Sequence, residues 1–380
     1  MKFLWGSATS AYQIEGDNRN CDWWEWDGGK SGRASWFWEK WEEDIELLRE
    51  LKHNAFRYSI EWSRIFAGEN EINFKALKKY RRITDRLKES GIEPVITLHH
   101  FTNPIWFSRK GGWLRRENMD YFLRFVEVIA EHFQDVKFFI TINEPNVYAF
   151  RGYMEGYWPP EEKSIFKALK VMNNMIYAHK RAYEILKSHG NPMVSIAQNI
   201  MVLEPAWKWS PIHWILSAFS DYMFNWYFPD RLRNHLDFLG INYYTRGFVR
   251  NLGDVVYRGS EKNCMGWEVY PRGLGKAIER AYRRYRKPIM ITENGICTDN
   301  DFQRIKFLKE HVSEVMRLRE KGIPIMGYLY WSLLDNYEWA EGFEPRFGLV
   351  EVDYRTGERT IRKSALFYRE IIETDGLAAL

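Results

Sequence analysis

Two apolar runs in this chain end on a glutamate. Phe138-Phe139-Ile140-Thr141-Ile142-Asn143 leads into Glu144 and Pro145, and Pro288-Ile289-Met290-Ile291-Thr292 leads into Glu293, Asn294 and Gly295. Continuous apolar and β-branched runs read as strands buried on both faces, which places each glutamate at the C-terminal end of a buried strand. Pro145 stops the first ladder, and the Asn294-Gly295 pair turns the chain after the second. Two carboxyls so placed can share the cleavage of a glycosidic bond, one donating a proton and the other attacking or activating water. The carboxylate that stays charged needs cations and donors, and Arg57 and Tyr244 are the candidates to hold Glu293 in that state. The partner that keeps its proton is helped by that negative charge, which raises the pKa of Glu144. The plainer reading is a pair of strand-end glutamates in salt bridges. It weakens because Gln13, His100, Asn143, Asn242 and Trp331 also fall at predicted strand ends.

The intervening sequence supplies the frame. Strands are predicted at Phe3 to Gln13, Ala55 to Trp62, Pro94 to His100, Phe138 to Glu144, Met193 to Gln198, Phe238 to Tyr244, Pro288 to Gly295 and Ile325 to Leu333. Helical patterns follow them, at Phe74 to Ser90, Asn118 to Phe133, Phe166 to Lys187, Leu216 to Phe228, Leu274 to Tyr285, Ile305 to Lys321 and Lys363 to Thr374, with a first helix ending near Lys52. Eight strand-then-helix units are the count of an α/β fold of the (β/α)8 TIM-barrel type. No Ser/Gly/Pro-rich linker divides the chain, so residues 1–380 are expected to form a single catalytic domain. Polar strand ends then converge on one mouth of the barrel.

Composition narrows the function classes. Aromatic residues make up 17% of the chain, with 18 Trp, and flat apolar rings fill cores or stack on sugars. Fifty-five Lys and Arg against 51 Asp and Glu leave a net charge of +4. The two signs interleave, as in Arg49-Glu50 and across Arg317, Arg319, Glu320 and Lys321, which describes a solvated face and not a nucleic-acid stripe. Cys21, Cys264 and Cys297 are odd in number and far apart, so no disulfide framework or zinc spacing is expected and a cytoplasmic, reducing setting is implied. The start, Met1-Lys2-Phe3-Leu4-Trp5-Gly6, is too short an apolar run for a signal peptide, and no run approaches a membrane span. His99 and His100 are adjacent, so on a strand they face opposite ways and at most one reaches the pocket. No metal site or cofactor is expected.

Taken together, these residues resemble glycoside hydrolase family 1, the retaining β-glycosidases. The likeness rests on Gln13-Ile14-Glu15-Gly16, Arg57-Tyr58-Ser59-Ile60-Glu61-Trp62, Thr97-Leu98-His99-His100-Phe101, Asn143-Glu144-Pro145, Asn242-Tyr243-Tyr244, Thr292-Glu293-Asn294-Gly295, the run Trp331 to Trp339, and Arg346-Phe347-Gly348. His100-Phe101-Thr102-Asn103-Pro104 and Tyr157-Trp158-Pro159-Pro160 resemble the branch from heat-loving archaea. The resemblance implies an exo-acting retaining enzyme working by double displacement through a covalent glycosyl-enzyme. Its substrates would be β-glucosides and related neutral β-glycosides, among them β-galactosides, β-fucosides and, at the edge of the range, β-mannosides. Glu144 would be the acid/base and Glu293 the nucleophile, flanked by Arg57, Asn242 and Tyr244. Gln13, His100, Asn143, Glu338 and Trp339 would grip sugar hydroxyls. Trp331 would form the floor of the sugar site, Phe347 part of its wall, and Trp267 the leaving-group side. Members acting on 6-phosphorylated sugars usually lack a Glu at position 338, so a neutral sugar is expected.

Two departures stand out. Phe101 occupies a position that is often Trp. The chain is also shorter than most members, with the missing length between Asp221 and Asp237, which would open the cleft or weaken the barrel wall. The nearby Trp207, Trp209, Trp214, Phe219, Phe224 and Trp226 are read first as core packing and second as a lining for an apolar leaving group. The alternatives to catalysis on a small glycoside or oligosaccharide are a non-catalytic sugar-binding barrel, which the presence of both glutamates disfavours, and a metal-dependent hydrolase built on His99 or His100. The oligomeric state is left open by the sequence.

Overall fold

The computed structural model describes residues 2–259 and 261–380; Met1 and Ser260 lie outside the described residues. Eight parallel strands close into a barrel: β1 (Leu4–Ala8), β2 (Ala55–Ser59), β3 (Glu93–His99), β4 (Phe138–Asn143), β5 (Met193–Asn199), β6 (Leu239–Asn242), β7 (Ile289–Asn294) and β8 (Ile325–Trp331). Each pairs with its neighbours in sequence, and β1 closes the ring on β8 through Leu4 opposite Gly327 to Ala8 opposite Trp331. The approach of β1 to β2 requires glycine: a Cβ on Gly6 would stand 1.9 Å from the Ala55 carbonyl oxygen.

The strands read as unbroken apolar runs because both faces are covered. Leu4, Val95, Phe138, Ile140, Met290 and Leu329 fill the barrel interior, and a larger cluster lies between barrel and helices. The principal helices are α1 (Phe37–Glu50), α2 (Phe74–Glu89), α3 (Met119–His132), α4 (Ile165–Ser188), α5 (Pro211–Asp221), α6 (Pro271–Tyr285), α7 (Asp301–Glu320) and α8 (Lys363–Glu373). In α2 the buried residues Ala76, Leu77, Tyr80, Ile83, Thr84 and Leu87 repeat at helical spacing, and Asn73 caps the first turn by accepting the Ala76 N–H at 3.1 Å. Burying each large apolar side chain contributes about 1.5–3 kcal/mol, so such a stripe fixes the face that α2 turns to the barrel.

Several expectations need correction. The first strand stops at Ala8, and Gln13 sits in a short helix, Ala11–Ile14, because the buried Thr9 and Ser10 leave the ladder there. Two accessory sheets were not anticipated: Val202–Pro205, Arg246–Asn251 and Asp254–Val256 form one, and the hairpin Val350–Asp353 with Glu358–Ile361 forms the other. The expected absence of a disulfide is overturned: Cys264 and Cys297, 33 positions apart, are joined. Spacing along the chain missed them because the loop carrying Cys264 folds back onto the end of β7. The shortened stretch before β6 does not break the wall, since β5 and β6 pair at Ala197–Gly240, Gln198–Ile241 and Asn199–Asn242. Core packing is wrong for most of the aromatic segment beside it: Trp209 is 82% and Trp214 53% exposed, whereas Trp226 is buried.

Candidate active site

The strand C-termini open into a cavity of about 740 Å³. Glu144 and Glu293 both line it and both are buried. Glu293 ends in a network of donors. Arg57, wholly buried at the middle of β2, places Nη1 2.6 Å from Glu293 Oε1, and the Tyr244 hydroxyl donates to Oε2 at 2.7 Å. Arg57 also donates through Nη2 to Asn143 Oδ1 at 2.6 Å and through Nε to Thr97 Oγ1 at 3.0 Å. Its guanidinium is therefore locked in place by three strands.

Glu144 is held differently. Asn242 and Asn199 each donate to its Oε1 at 2.9 Å, and no cation among the described residues pairs with it, whereas Glu293 pairs with Arg57. Burial, reinforced by the charge of Glu293, pushes its pKa up to about 8. Burial also raises Glu293, but Arg57, Tyr244 and Asn242 oppose the rise. Arg57 and Tyr244 thus favour the charged form of Glu293, while burial favours the protonated form of Glu144. Asn242 donates to Glu144 and stands opposite Glu293 in the register of β6 and β7. Glu144 takes φ 41° and ψ 58°, a left-handed conformation that a β-carbon disfavours, where β4 turns into the helix Pro145–Ala149.

The rest of the mouth is aromatic and polar. His100 lies between Trp331 and Trp339, with ring centroids 5.9 and 6.0 Å away and planes within 29° and 19°. Its Nε2 faces Asn143 Nδ2 at 3.0 Å, and burial, followed by the charge of Arg57, drives its pKa well down, so the ring is neutral. His99 turns the other way, to Asn103 at 3.1 Å and against Trp113. Gln13 Nε2 donates to Glu338 Oε2 at 3.0 Å and to Asn336 Oδ1 at 2.9 Å. Glu338 is lifted by burial and by Glu293 to about 8. Phe347 packs edge-on to Tyr244 at 6.3 Å, and Trp267 does so from the opposite rim at 5.8 Å. Gly295 lets the end of β7 lie against β8, since a Cβ there would meet the Trp331 carbonyl oxygen at 1.8 Å.

The structure thus gathers the expected catalytic and sugar-gripping residues around one cavity, while His99, Trp207, Trp209, Trp214 and Trp226 stay outside it. Gln13, His100, Asn143, Glu144, Tyr244, Trp267, Glu293, Trp331, Glu338, Trp339 and Phe347 line it. Arg57 and Asn242 sit immediately behind, touching Glu293 and Glu144. Sequence reasoning missed Asn199, the last residue of β5, and Asn336, the second partner of Gln13. Asn199 was recoverable by extending the fifth strand one residue beyond Gln198 to its polar end. Asn336 carries no local signal, since its role depends on how the loop after β8 folds.

The same arrangement has relatives. The Glycosyl hydrolase family 1 profile matches residues 1–230 and 228–377, two pieces that meet where the chain was read as shortened. Beta-glucosidase A of Thermotoga maritima is 33% identical over 99% of this chain and 98% of its own length. A beta-galactosidase of Sulfolobus acidocaldarius is 30% identical over 99% and 95% respectively. Among solved structures, the beta-glycosidase from Pyrococcus horikoshii superposes with a TM-score of 0.93 and 44% identity, covering 97% of this chain and 93% of that one. With the profile spanning nearly the whole sequence and the barrel matching along its full length, the chain is a hydrolase that belongs to glycosyl hydrolase family 1.

Proposed function

We propose that the protein is a retaining exo-β-glycosidase in which Glu293 is the nucleophile and Glu144 the acid/base. The observation that carries this reading is the unequal treatment of two buried carboxyls: Glu293 accepts from the Arg57 guanidinium and the Tyr244 hydroxyl, which favour its charged form, whereas Glu144 accepts only from amides, and burial and its partner's charge favour its protonated form. In the first step a Glu293 oxygen bonds the anomeric carbon, the carbon–oxygen bond to the leaving group breaks, and the Glu144 proton passes to the departing oxygen. Esterification neutralises Glu293, which removes the charge that raised Glu144 and turns it into a base. In the second step Glu144 takes a proton from water, the water oxygen bonds the same carbon, and Glu293 is released as carboxylate. Gln13, His100, Asn143, Glu338 and Trp339 grip hydroxyls over the Trp331 floor. A phosphate on the sugar would meet the Glu338 carboxyl with no free cation among these residues, which favours neutral β-glucosides and β-galactosides, the substrates named for the two relatives above.

The leaving-group side is apolar. Val147, Phe150, Met223, Phe224, Leu252 and Val255 line the outer cavity, and Phe219 continues it onto the exposed α5 residues Ile212, Trp214 and Ile215. This favours hydrophobic leaving groups. No helix among the described residues is long and apolar enough to cross a membrane, and we place residues 1–380 in the cytoplasm as one catalytic domain acting on small glycosides. The disulfide removes the reducing-compartment ground for that placement.

Proton NMR of the enzyme with an aryl β-glucoside tests the mechanism: β-glucose should appear first. First appearance of α-glucose would sink the nucleophile assignment. In a series from methyl to octyl β-glucoside, kcat/KM should climb about two- to four-fold per methylene until the cavity is filled. A flat series would remove the apolar leaving-group preference and leave the chemistry standing.

A further inference from the structure

Trp267 reaches the cavity from a hairpin that is not part of the barrel. The hairpin is pinned at its base, where Arg246 makes a two-toothed pair with Glu268 at 2.6 and 2.8 Å and the Thr245 hydroxyl donates to the Glu268 carbonyl at 2.9 Å. At its tip the bonds are internal: Asn263 Oδ1 accepts the N–H groups of Met265 at 3.0 Å and Trp267 at 2.9 Å, and the Asn263 N–H donates to the Trp267 carbonyl at 2.9 Å. This turn is rigid in itself. Gln303 and Lys306 of α7 hold the residues before the turn, at the Lys262 carbonyl (3.2 Å) and the Glu261 carboxylate (2.6 Å), and the turn itself is tied to the barrel by Cys264, whose N–H donates to the Cys297 carbonyl at 3.1 Å and whose sulfur is bonded to that of Cys297. Cys297 is fully buried just past β7, among Trp331 and Phe347 at the floor of the cavity. Met265 and Trp267 pack on that same cluster, and Trp267 meets the ring of Tyr244, the donor to Glu293.

We propose that the Cys264–Cys297 disulfide is a positioning strap that holds Met265 and Trp267 as a fixed leaving-group wall beside the nucleophile strand. The proposal rests on the glycosidase reading of the cavity. With the strap closed, the wall is ordered before substrate arrives. With it open, the hairpin tip keeps its internal turn but is ordered against the barrel only when a leaving group docks, and binding then bears that ordering cost. The effect falls on substrates whose leaving group touches the wall and spares those whose leaving group is too small to do so. Cys264 is exposed, so a phosphine reductant can reach the bond without unfolding the protein.

The test compares the wild type, the wild type reduced with a phosphine, and the C264S/C297S variant on 4-nitrophenyl β-glucoside and on β-glucosyl fluoride. Opening the strap either way should raise KM for the aryl substrate about three- to ten-fold, with KM for the fluoride and both kcat values within about two-fold. In a W267A background the same opening should be silent on both substrates. The proposal is overturned if non-reducing mass spectrometry finds two free thiols at Cys264 and Cys297. It is equally overturned if opening the strap changes both substrates alike or lowers only Tm, because the bond then serves general stability. If the wild type cleaves neither substrate, the glycosidase reading falls, and the strap with it.

Discussion

Glu144 and Glu338 keep their protons near neutral pH because both are buried beside the charge of Glu293. A general acid with a pKa of about 8 loses its proton as pH rises through that value, so kcat/KM should fall there and a pH–rate profile should show it. Replacing Glu144 with Gln should remove that basic limb. The same shift bears on stability. A carboxyl whose pKa is raised by folding stabilises the fold below its ordinary value near 4.5 and loses that contribution as pH climbs through about 8. Glu144→Gln should therefore melt about 2 °C or more above the wild type at pH 8, with the gain vanishing at pH 4. Glu293→Ala should abolish turnover, by about 10⁴-fold or more, and azide or formate should restore part of it by entering the vacated space as a nucleophile. Undiminished activity in that variant would contradict its role. These carboxyls were legible in sequence because each ends an apolar run. Asn336 was not, because what makes it a partner of Gln13 is a loop conformation and not a pattern along the chain.

The strands deliver Glu144 and Glu293, but the loop after β8 delivers Glu338, Trp339 and Phe347, and one buried carboxylate organises it. Asp335 accepts from Arg362 at 2.8 and 2.9 Å, from Arg346 at 3.1 Å and from the Gly348 N–H at 2.9 Å. Removing one partner of such a network leaves mostly buried guanidinium groups uncompensated, which costs about 3–5 kcal/mol. Asp335→Ala should lower Tm by about 5–10 °C and raise KM for every glycoside, since the grip on the sugar loosens whatever the leaving group. A KM unchanged in the folded fraction would show that the loop is held by other contacts. At this scale the sequence was informative where periodicity is long. The eight strands and their following helices fell close to their observed places. It was uninformative where an element is short and depends on a distant partner. Val202–Pro205 is four residues ending in proline, and it becomes a strand only because Arg246–Asn251 lies alongside it. The disulfide escaped for the same reason.

Closure of the ring is a property of the whole chain. The last helix, α8, seals the first strand against the last: the Tyr368 hydroxyl lies 2.8 Å from the Gly6 carbonyl oxygen and 3.1 Å from that of Tyr328, and Trp5 Nε1 donates to Asp375 at 2.9 Å just beyond the helix. Tyr368→Phe should destabilise the fold by about 1–2 kcal/mol, visible as a lower denaturation midpoint with an unchanged slope. Its kcat should match the wild type, because Tyr368 sits on α8 outside the barrel and does not line the cavity. A fall in kcat without a fall in the midpoint would refute that division. The shortened stretch before β6 acts at this scale as well. It was visible as missing length, and the wall it was expected to weaken is intact because Ala197, Gln198 and Asn199 still meet Gly240, Ile241 and Asn242. Beside that intact wall the aromatic segment lies exposed, and its Phe219 reaches the cavity.

Ten non-glycine residues among those described take positive φ, and three of them, Phe101 at 71°, Glu144 at 41° and Trp339 at 54°, line the cavity. Glycine at such a position recovers about 1 kcal/mol or more of backbone strain. A variant library at position 144 sorted for yield of folded protein would then drift toward Gly and Asn, while one sorted for turnover would return only Glu. The two selections pull apart at the positions where chemistry overrules conformational preference. That divergence would mark the active site by its backbone as well as by its chemistry.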